Sequence, residues 1–149
     1  MVTSILVPIN DSISSRAIIE FLVKMSFSPE DSKITLVHIF REPVSGEDLM
    51  GKKFMSEQPD RLKTILQKAK DRLVKEKGFK PEQIDVVLQT DPYPSITEGI
   101  IDFFKKGNYD MVVIGRKKMS KSEEFVLGDI SVKLVRTLDN TSVLVVKTG

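Results

Sequence analysis

The chain has 149 residues, and its 40% of hydrophobic residues is enough to fill the core of one domain of ordinary size. It contains no cysteine and a single histidine, His38, which excludes disulfide frameworks, thiolate metal sites, iron–sulfur clusters and cysteine nucleophiles. The 23 basic residues nearly balance the 21 acidic ones, and this argues against a broad cationic surface for nucleic acid.

Neither an export signal nor a membrane segment is visible in the sequence. The first residues lack the cationic start, the apolar stretch and the cleavage site of a signal peptide. No apolar run approaches the roughly 20 residues that span a bilayer. We therefore expect a cytoplasmic protein that makes no use of a membrane.

Strand and helix patterns alternate along the first third of the chain. Residues 4–9 form a short apolar run, typical of a strand that is buried on both faces. A helix pattern follows, with Ser14 or Ser15 placed to cap its start. Its apolar residues recur at helical spacing, at Ile18, Phe21, Leu22 and Met25. Residues 33–39 then predict a second strand.

Residues 40–60 interrupt this alternation, because prolines and glycines are scattered there among mixed charges. We predict a long connection over this segment, with room for one turn of helix. A long helix then follows and closes at Gly78 and Pro81. Its apolar stripe is Leu62, Ile65, Leu66, Ala69 and Leu73.

The remainder of the chain continues the pattern. A third strand at 84–89 precedes a turn at 91–94, and a third helix ends near Gly107. The most apolar strand covers 110–115, and a polar loop runs from Arg116 to about Glu124. A fourth helix carries Ile130, Leu134 and Leu138 on one face, and a last strand covers 142–147.

This order predicts a single α/β domain over residues 1–149. Strands joined by helices imply right-handed crossovers, and therefore a doubly wound, open parallel sheet of Rossmann-like type with helices on both faces. Ligands of such sheets bind beyond the carboxyl ends of the strands, where the winding reverses. With the first strand at the centre, that point lies between residues 10–12 and residues 115–118.

At these loops the chain resembles the universal stress protein family. The first strand and its turn, Ile5-Leu-Val-Pro-Ile-Asn-Asp-Ser12, and the fourth strand, Met111-Val-Val-Ile-Gly115, are similar to those of the family. Leu36-Val-His-Ile39 is similar to its second strand. Leu127-Gly-Asp-Ile-Ser-Val-Lys-Leu-Val-Arg136 and Ser142-Val-Leu-Val-Val146 are similar to its closing helix and strand. The resemblance implies strand order 3-2-1-4-5 and dimers that join through the last strand.

The resemblance also implies a candidate nucleotide pocket. Nucleotide-binding members carry a glycine, two residues, a second glycine, nine residues, and then glycine with serine or threonine. Gly115 and Gly128 stand at the first and third glycines, while Lys118 replaces the second and Asp129 replaces the hydroxyl residue. Asn10 stands where binding members have an aspartate that contacts the nucleoside. Ile39 takes the place of a residue whose backbone touches the adenine.

The substitutions have physical consequences for an ATP site. Lys118 brings a side chain into the space where glycine lets backbone N–H groups approach a phosphate. Asp129, when ionised, cannot donate a hydrogen bond to a phosphate and repels it. Asn10 keeps the ability to hydrogen-bond a ribose, so this change is the mildest. Together they argue against the family's usual ATP site.

Several of these residues also have a purely structural interpretation. Gly115 is either the relic of a phosphate loop or the tight exit from a buried strand. Arg116, Lys117, Lys118 and Lys121 either hold an anion or form a solvated loop. Asn10 and Asp11 either contact a ligand or form the turn that starts the first helix. His38 has no second histidine or cysteine with which to form a metal site, and it is expected in the core or at its rim.

These patterns favour a binding and signalling module over an enzyme, because no motif of a nucleophile elbow, a zinc protease or a Walker loop is present. We expect a dimeric stress-response module without a cofactor, which works through a protein partner or another small ligand. The alternative is a nucleotide-binding module that holds ATP with magnesium through a modified loop. The last strand, with Val143, Leu144, Val145 and Val146, is an apolar edge suited to pairing with a second copy.

Overall fold

The computed structural model describes residues 2–42, 48–118, 120–122 and 130–148, with the backbone alone over 48–58. Five strands form one parallel sheet in the order β3-β2-β1-β4-β5, as predicted. The strands are β1 (Thr3–Pro8), β2 (Ser32–Arg41), β3 (Ile84–Tyr93), β4 (Met111–Lys117) and β5 (Ser142–Thr148). The helices are α1 (Ile13–Lys24), α2 (Asp48–Arg72), α3 (Ile96–Lys106) and α4 (Ile130–Thr137).

The alternation of side chains along each strand divides the core into two layers. On one face of the sheet, α1 and α2 cover a layer that contains Ile5, Val7 and Val113. On the other face, α3 and α4 cover a layer that contains Leu6 and Val112. We refer to these as the α1/α2 face and the α3/α4 face. Because both faces are buried, the central strands read as continuous apolar runs in the sequence.

The prediction of a long connection over residues 40–60 is wrong, because α2 begins at Asp48 and continues through Pro59. The apolar residues of this segment recur at helical spacing, as from Met50 to Phe54, and a proline removes one N–H without ending every helix. The end of the helix is as predicted. After a π-helical turn over Leu73–Lys77, Gly78 has φ 88°, a conformation that favours glycine.

The predicted turn at 91–94 is also wrong in part, because β3 extends to Tyr93. A register shift between Ile39 and Arg41 lets the ladder continue, with Arg41 opposite Tyr93. Pro92 is tolerated because β3 is an edge strand, where a missing N–H need not break a ladder hydrogen bond. This extension continues the pairing of β2 and β3 to the carboxyl end of β2.

Candidate functional site

The carboxyl end of β1 leads into a turn that is organised by one buried serine. The Ser15 hydroxyl accepts a hydrogen bond from the Asn10 N–H at 2.9 Å and donates to Asn10 Oδ1 at 2.8 Å. Ser12, and not Ser14 or Ser15 as predicted, caps α1 by accepting from the Ser15 N–H at 3.1 Å. The side-chain oxygen of Asn10 is therefore engaged in the turn, which favours the structural interpretation of this residue.

Asp11 is engaged as well, because its carboxylate lies between two arginines. One is Arg61 of α2, which is hydrogen-bonded to Asp11 Oδ2. The other is Arg16 of α1, whose Nη2 lies 3.6 Å from Asp11 Oδ1. The turn after β1 is thus tied to α2, a contact that links residues 50 positions apart and that the sequence pattern did not reveal.

Gly115 lies within β4 opposite Val146, and not at the exit from the strand. A Cβ at this position would come within 2.7 Å of the Ser14 carbonyl oxygen and 2.9 Å of Ser14 Cβ. Among the described glycines only Gly78 has a positive φ, so Gly115 is not required for an unusual backbone angle. Glycine is needed here because the start of α1 lies directly against the strand.

The predicted polar loop does not begin at Arg116, because Arg116 and Lys117 continue β4 opposite Lys147 and Thr148. The ladder ends with the Lys118 N–H, which donates to the Thr148 carbonyl at 2.9 Å. The backbone donor at the position of the family's second glycine is therefore used within the sheet.

The cations of the predicted cluster are also distributed over the two faces of the sheet. Arg116 shares the α3/α4 face with Ile114, since their side chains are two positions apart on one strand. Lys117 shares the opposite face with Val113. Lys118 and Lys121 are exposed beyond the strand. The described residues thus do not form one compact cationic cluster.

His38 lies at the rim of the core, as predicted, and holds the chain after β1. Its Nδ1 lies 2.8 Å from the Ile9 carbonyl oxygen. Because a carbonyl can only accept, this nitrogen must carry the proton, and the neutral ring has its lone pair on Nε2. Burial lowers the pKa of His38, while the bond to Ile9 opposes that shift. The ring also packs edge-on against Phe40, with centroids 4.6 Å apart.

Ile39 is buried in the core of the α3/α4 face, where it lies against α3 at Gly99. A Cβ at Gly99 would lie 2.4 Å from Ile39 Cγ2 and 2.9 Å from the ring of Tyr93. The side chain of Ile39 is therefore part of the packing between sheet and helix. The remaining predicted site residues, Gly128 and Asp129, lie outside the described residues.

A chain of polar contacts between β3 and α3 is a feature that sequence analysis missed. The Tyr93 hydroxyl donates to Asp102 at 2.5 Å, and Lys106 Nζ lies 2.8 Å from the same carboxylate. The hydrogen bond to Asp102 raises the pKa of Tyr93, and Lys106 followed by Tyr93 lowers the pKa of Asp102. The spacing of Asp102 and Lys106 is a recognisable signal, whereas the position of Tyr93 depends on the extension of β3.

Neither a metal site nor a membrane-spanning helix is found in the part of the chain that the structure describes. It contains no group of three or more acidic or histidine side chains arranged to hold a metal ion. None of its helices has the length and apolar character needed to cross a membrane.

The comparisons with known proteins agree with this architecture. The model of the universal stress protein family matches residues 1–147. The chain belongs to the universal stress protein family. No curated protein sequence matches it at a significant level.

Solved structures of family members share the fold at low sequence identity. Universal stress protein UspA from Lactobacillus plantarum is 15% identical, with a TM-score of 0.68 and 97% of each chain covered. A family protein from Arabidopsis thaliana with AMP bound is 20% identical, with a TM-score of 0.63, and 99% of this chain and 92% of that chain are covered. A universal stress protein in complex with cAMP is 17% identical, with a TM-score of 0.63, and 97% and 95% are covered.

Proposed function

We propose that this protein is a cytoplasmic, homodimeric regulatory module of the universal stress protein family that does not hold ATP in the family's usual way. It acts through a protein partner or another small ligand, and not as an enzyme. The observation that carries the proposal is the hydrogen bond from the Lys118 N–H to the Thr148 carbonyl. A phosphate at this position would have to displace Thr148 from the end of the sheet.

Two further contacts support the absence of the usual site. The space that a phosphate loop leaves open beside its first glycine is filled here by Ser14, which lies against Gly115. The Asn10 side-chain oxygen is hydrogen-bonded to the Ser15 hydroxyl and would have to leave it to bind a ribose. Breaking this hydrogen bond, or the one from the Lys118 N–H to Thr148, loses a net value of about 1 kcal/mol.

The second candidate function is a nucleotide-binding module with a modified loop. It is favoured by the two family structures that contain AMP and cAMP. In this case Arg116, Lys118 or Lys121 would supply positive charge in place of backbone donors, and Asp129 would provide an oxygen ligand for magnesium.

Calorimetry of nucleotide-stripped protein with ATP and magnesium separates these functions. We expect no heat of binding at micromolar ATP and no nucleotide carried through purification. Micromolar binding that is lost in Lys118→Ala, and kept in Lys105→Ala on the exposed side of α3, would establish the second function. Gly115 variants do not serve as binding probes, because they also disturb the packing of α1.

A restoration experiment tests the reasons for the absent site. The triple variant Asn10→Asp, Lys118→Gly and Asp129→Ser returns the family's residue types at all three positions. We expect this variant to bind ATP with a measurable heat. If it folds, as judged by its melting transition, and still shows no binding, then these three residues are not what prevents it.

The proposed dimer is supported by a difference between the two edge strands. On β3, Asp85, Asp91 and Pro92 are exposed, and such residues discourage strand pairing. On β5 no charged residue occurs between Ser142 and Val146, and Val145 is 37% exposed. The adjoining helix α4 also exposes Val132 and Val135, by 44% and 63%. An apolar, unprotected edge of this kind favours association with a second copy.

Sedimentation of an edge variant tests the dimer. Val145→Lys places a charge on the unprotected edge, and we expect it to sediment as a monomer. Thr90→Lys is the matched control, because it places the same charge on the exposed part of β3. A Val145→Lys protein that sediments as a dimer would locate the interface elsewhere.

A further inference from the structure

Helix α1 exposes a stripe of apolar side chains on its outer side. Ile13 is 74% exposed, more than any other large apolar residue that the structure describes, and Phe21 is 39% exposed. With the partly exposed Ala17 between them, they follow one another at four-residue spacing over roughly 12 Å. Leu22, on the opposite side of the helix from Ile13, is the residue that packs on the sheet. The stripe therefore contributes nothing to the core of the domain and is available to a partner.

A row of charged residues runs beside this stripe, on the side of α1 that faces α2. Arg16, Glu20 and Lys24 repeat at the same four-residue spacing, three positions after the apolar residues. Arg72 of α2 donates to the Glu20 carboxylate at 2.5 Å, so the anion of the row is neutralised. Lys24 makes no ion pair with any residue that the structure describes. The row therefore presents positive charge next to the apolar stripe.

Helix α2 adds a further cation on the side that it turns toward α1. Arg61 and Arg72 identify this side, because they lie three helical turns apart and each binds a carboxylate of α1 or of the turn before it. Lys68 lies between them on the same side, exposed and without an ion pair among the described residues. Two acidic residues of α2 each precede one of these arginines and therefore point about 100° away from this side. They are Asp60 and Asp71.

We propose that this surface, formed by the outer side of α1 and the adjoining side of α2, docks an acidic amphipathic helix of a partner protein. The inference rests on the proposed function and deepens it, because it states the chemistry of the protein partner. A helix laid along α1 contacts Ile13 and Phe21 with apolar side chains that recur every three or four residues. Carboxylates on the flank of this helix come opposite Arg16, Lys24 and Lys68.

The ion pairs of the surface determine the charge of the partner. The acidic residues next to it, Asp11, Glu20 and Glu76, are each bound by an arginine. A basic partner would have to displace these arginines, whereas an acidic partner meets Lys24 and Lys68, which bind no carboxylate among the described residues. The apolar stripe also favours a protein over a nucleic acid, because nucleic acids are held mainly through their phosphates.

Fluorescence anisotropy with two labelled synthetic peptides tests the proposal on the full-length protein. One peptide is a helix of about 18 residues with leucine at every third or fourth position and glutamate on both flanks. The other has lysine in place of each glutamate. We expect the glutamate peptide to bind about 10-fold more tightly than the lysine peptide. Equal affinities overturn the acidic character of the partner, and a glutamate peptide that does not bind overturns the docking surface.

Matched variants locate the binding site of the glutamate peptide. Ile13→Ser should weaken its binding by about 10-fold, because an isoleucine is lost from the contact. Val2→Ser removes a similarly exposed side chain at the start of the chain and should have no effect. Lys68→Gln should weaken binding by about 3-fold, whereas Lys63→Gln, on the far side of α2, should not. Binding that neither Ile13→Ser nor Lys68→Gln weakens overturns the location of the site.

Three further measurements separate the partner helix from other occupants and from the proposed function. If Ile13→Ser sediments as a monomer and the wild type as a dimer, a second copy covers the surface and the proposal is overturned. Single-stranded DNA of about 18 nucleotides that binds wild type and Ile13→Ser as tightly as the glutamate peptide binds the wild type also overturns it. Calorimetry with ATP examines the proposed function separately, because micromolar ATP binding overturns the absence of the usual site whether or not the peptide binds.

Discussion

Gly115→Ala is the substitution that examines the candidate site most directly. An added Cβ would lie 2.7 Å from the carbonyl oxygen and 2.9 Å from the carbonyl carbon of Ser14. These are backbone atoms at the start of α1, so they cannot rotate away as the end of a side chain would. Without this contact, replacing glycine by alanine would stabilise the protein by about 0.4–1 kcal/mol through the unfolded state. Overpacking costs typically about 1–3 kcal/mol, so we expect the free energy of unfolding to fall.

Urea unfolding followed by circular dichroism measures this difference. A chain of this size loses about 2–4 °C of melting temperature for each kcal/mol, so thermal unfolding reports the same effect. Ser14→Gly removes the Ser14 Cβ but not its carbonyl. The double variant should therefore recover only part of the loss, and the cycle measures the coupling between the two residues. If Gly115→Ala is as stable as the wild type, α1 does not lie against β4 as described, and the space for a phosphate is open.

Three further predictions concern other contacts of the site. The pKa of His38 is lowered in the folded protein, so the folded state binds this proton less readily than the unfolded state. The stability that His38 contributes is therefore complete above the unfolded pKa of about 6.5. As the pH falls below that value, the free energy of unfolding decreases by up to about 1.4 kcal/mol per pH unit. The stability difference between wild type and His38→Gln, measured in urea at pH 7.5 and 5.5, should therefore shrink at the lower pH. Gly99→Ala should destabilise the protein in urea unfolding by about 1–3 kcal/mol, although alanine is the better helix former, because its Cβ meets Ile39 and Tyr93. In ultraviolet titration, the absorbance change that Tyr93→Phe removes should have its midpoint above the ordinary pKa of about 10, since the Tyr93 hydroxyl donates a hydrogen bond to Asp102 that is lost on ionisation.

The order of the elements follows from the sequence because buried parallel strands leave an unambiguous signal. Runs such as residues 4–9 and 110–115 are apolar on both faces, and the helices between them carry apolar stripes. The errors lie where local preference and tertiary structure disagree. Pro59 reads as a helix breaker, and Pro92 as part of a turn, yet each lies within an element. Pro92 is tolerated because β3 lies at the edge of the sheet, a position that the local sequence does not show.

The candidate site was harder to predict than the fold for a related reason. Gly115 is conspicuous in the sequence, but its neighbour is Ser14, and only the packing of α1 on β4 brings them together. Likewise, Arg116 and Lys117 are polar residues that suggest a loop. They continue the strand because Lys147 and Thr148 lie opposite them. Polar residues extend a strand beyond the core when a partner strand is equally long, and a local pattern does not contain that information.

The last residues of β5 connect the candidate site to the proposed interface. Thr148 accepts the Lys118 N–H on the inner side of the strand, while the backbone of Lys147 points to the outer side. A ligand that takes the Lys118 N–H must displace Thr148, and this loosens the end of β5, the strand through which the proposed dimer forms. We therefore expect ligand binding at this loop and dimerisation to oppose each other. By linkage, any anion that binds there should lower the affinity between the two copies by the same factor as dimerisation lowers the affinity for the anion.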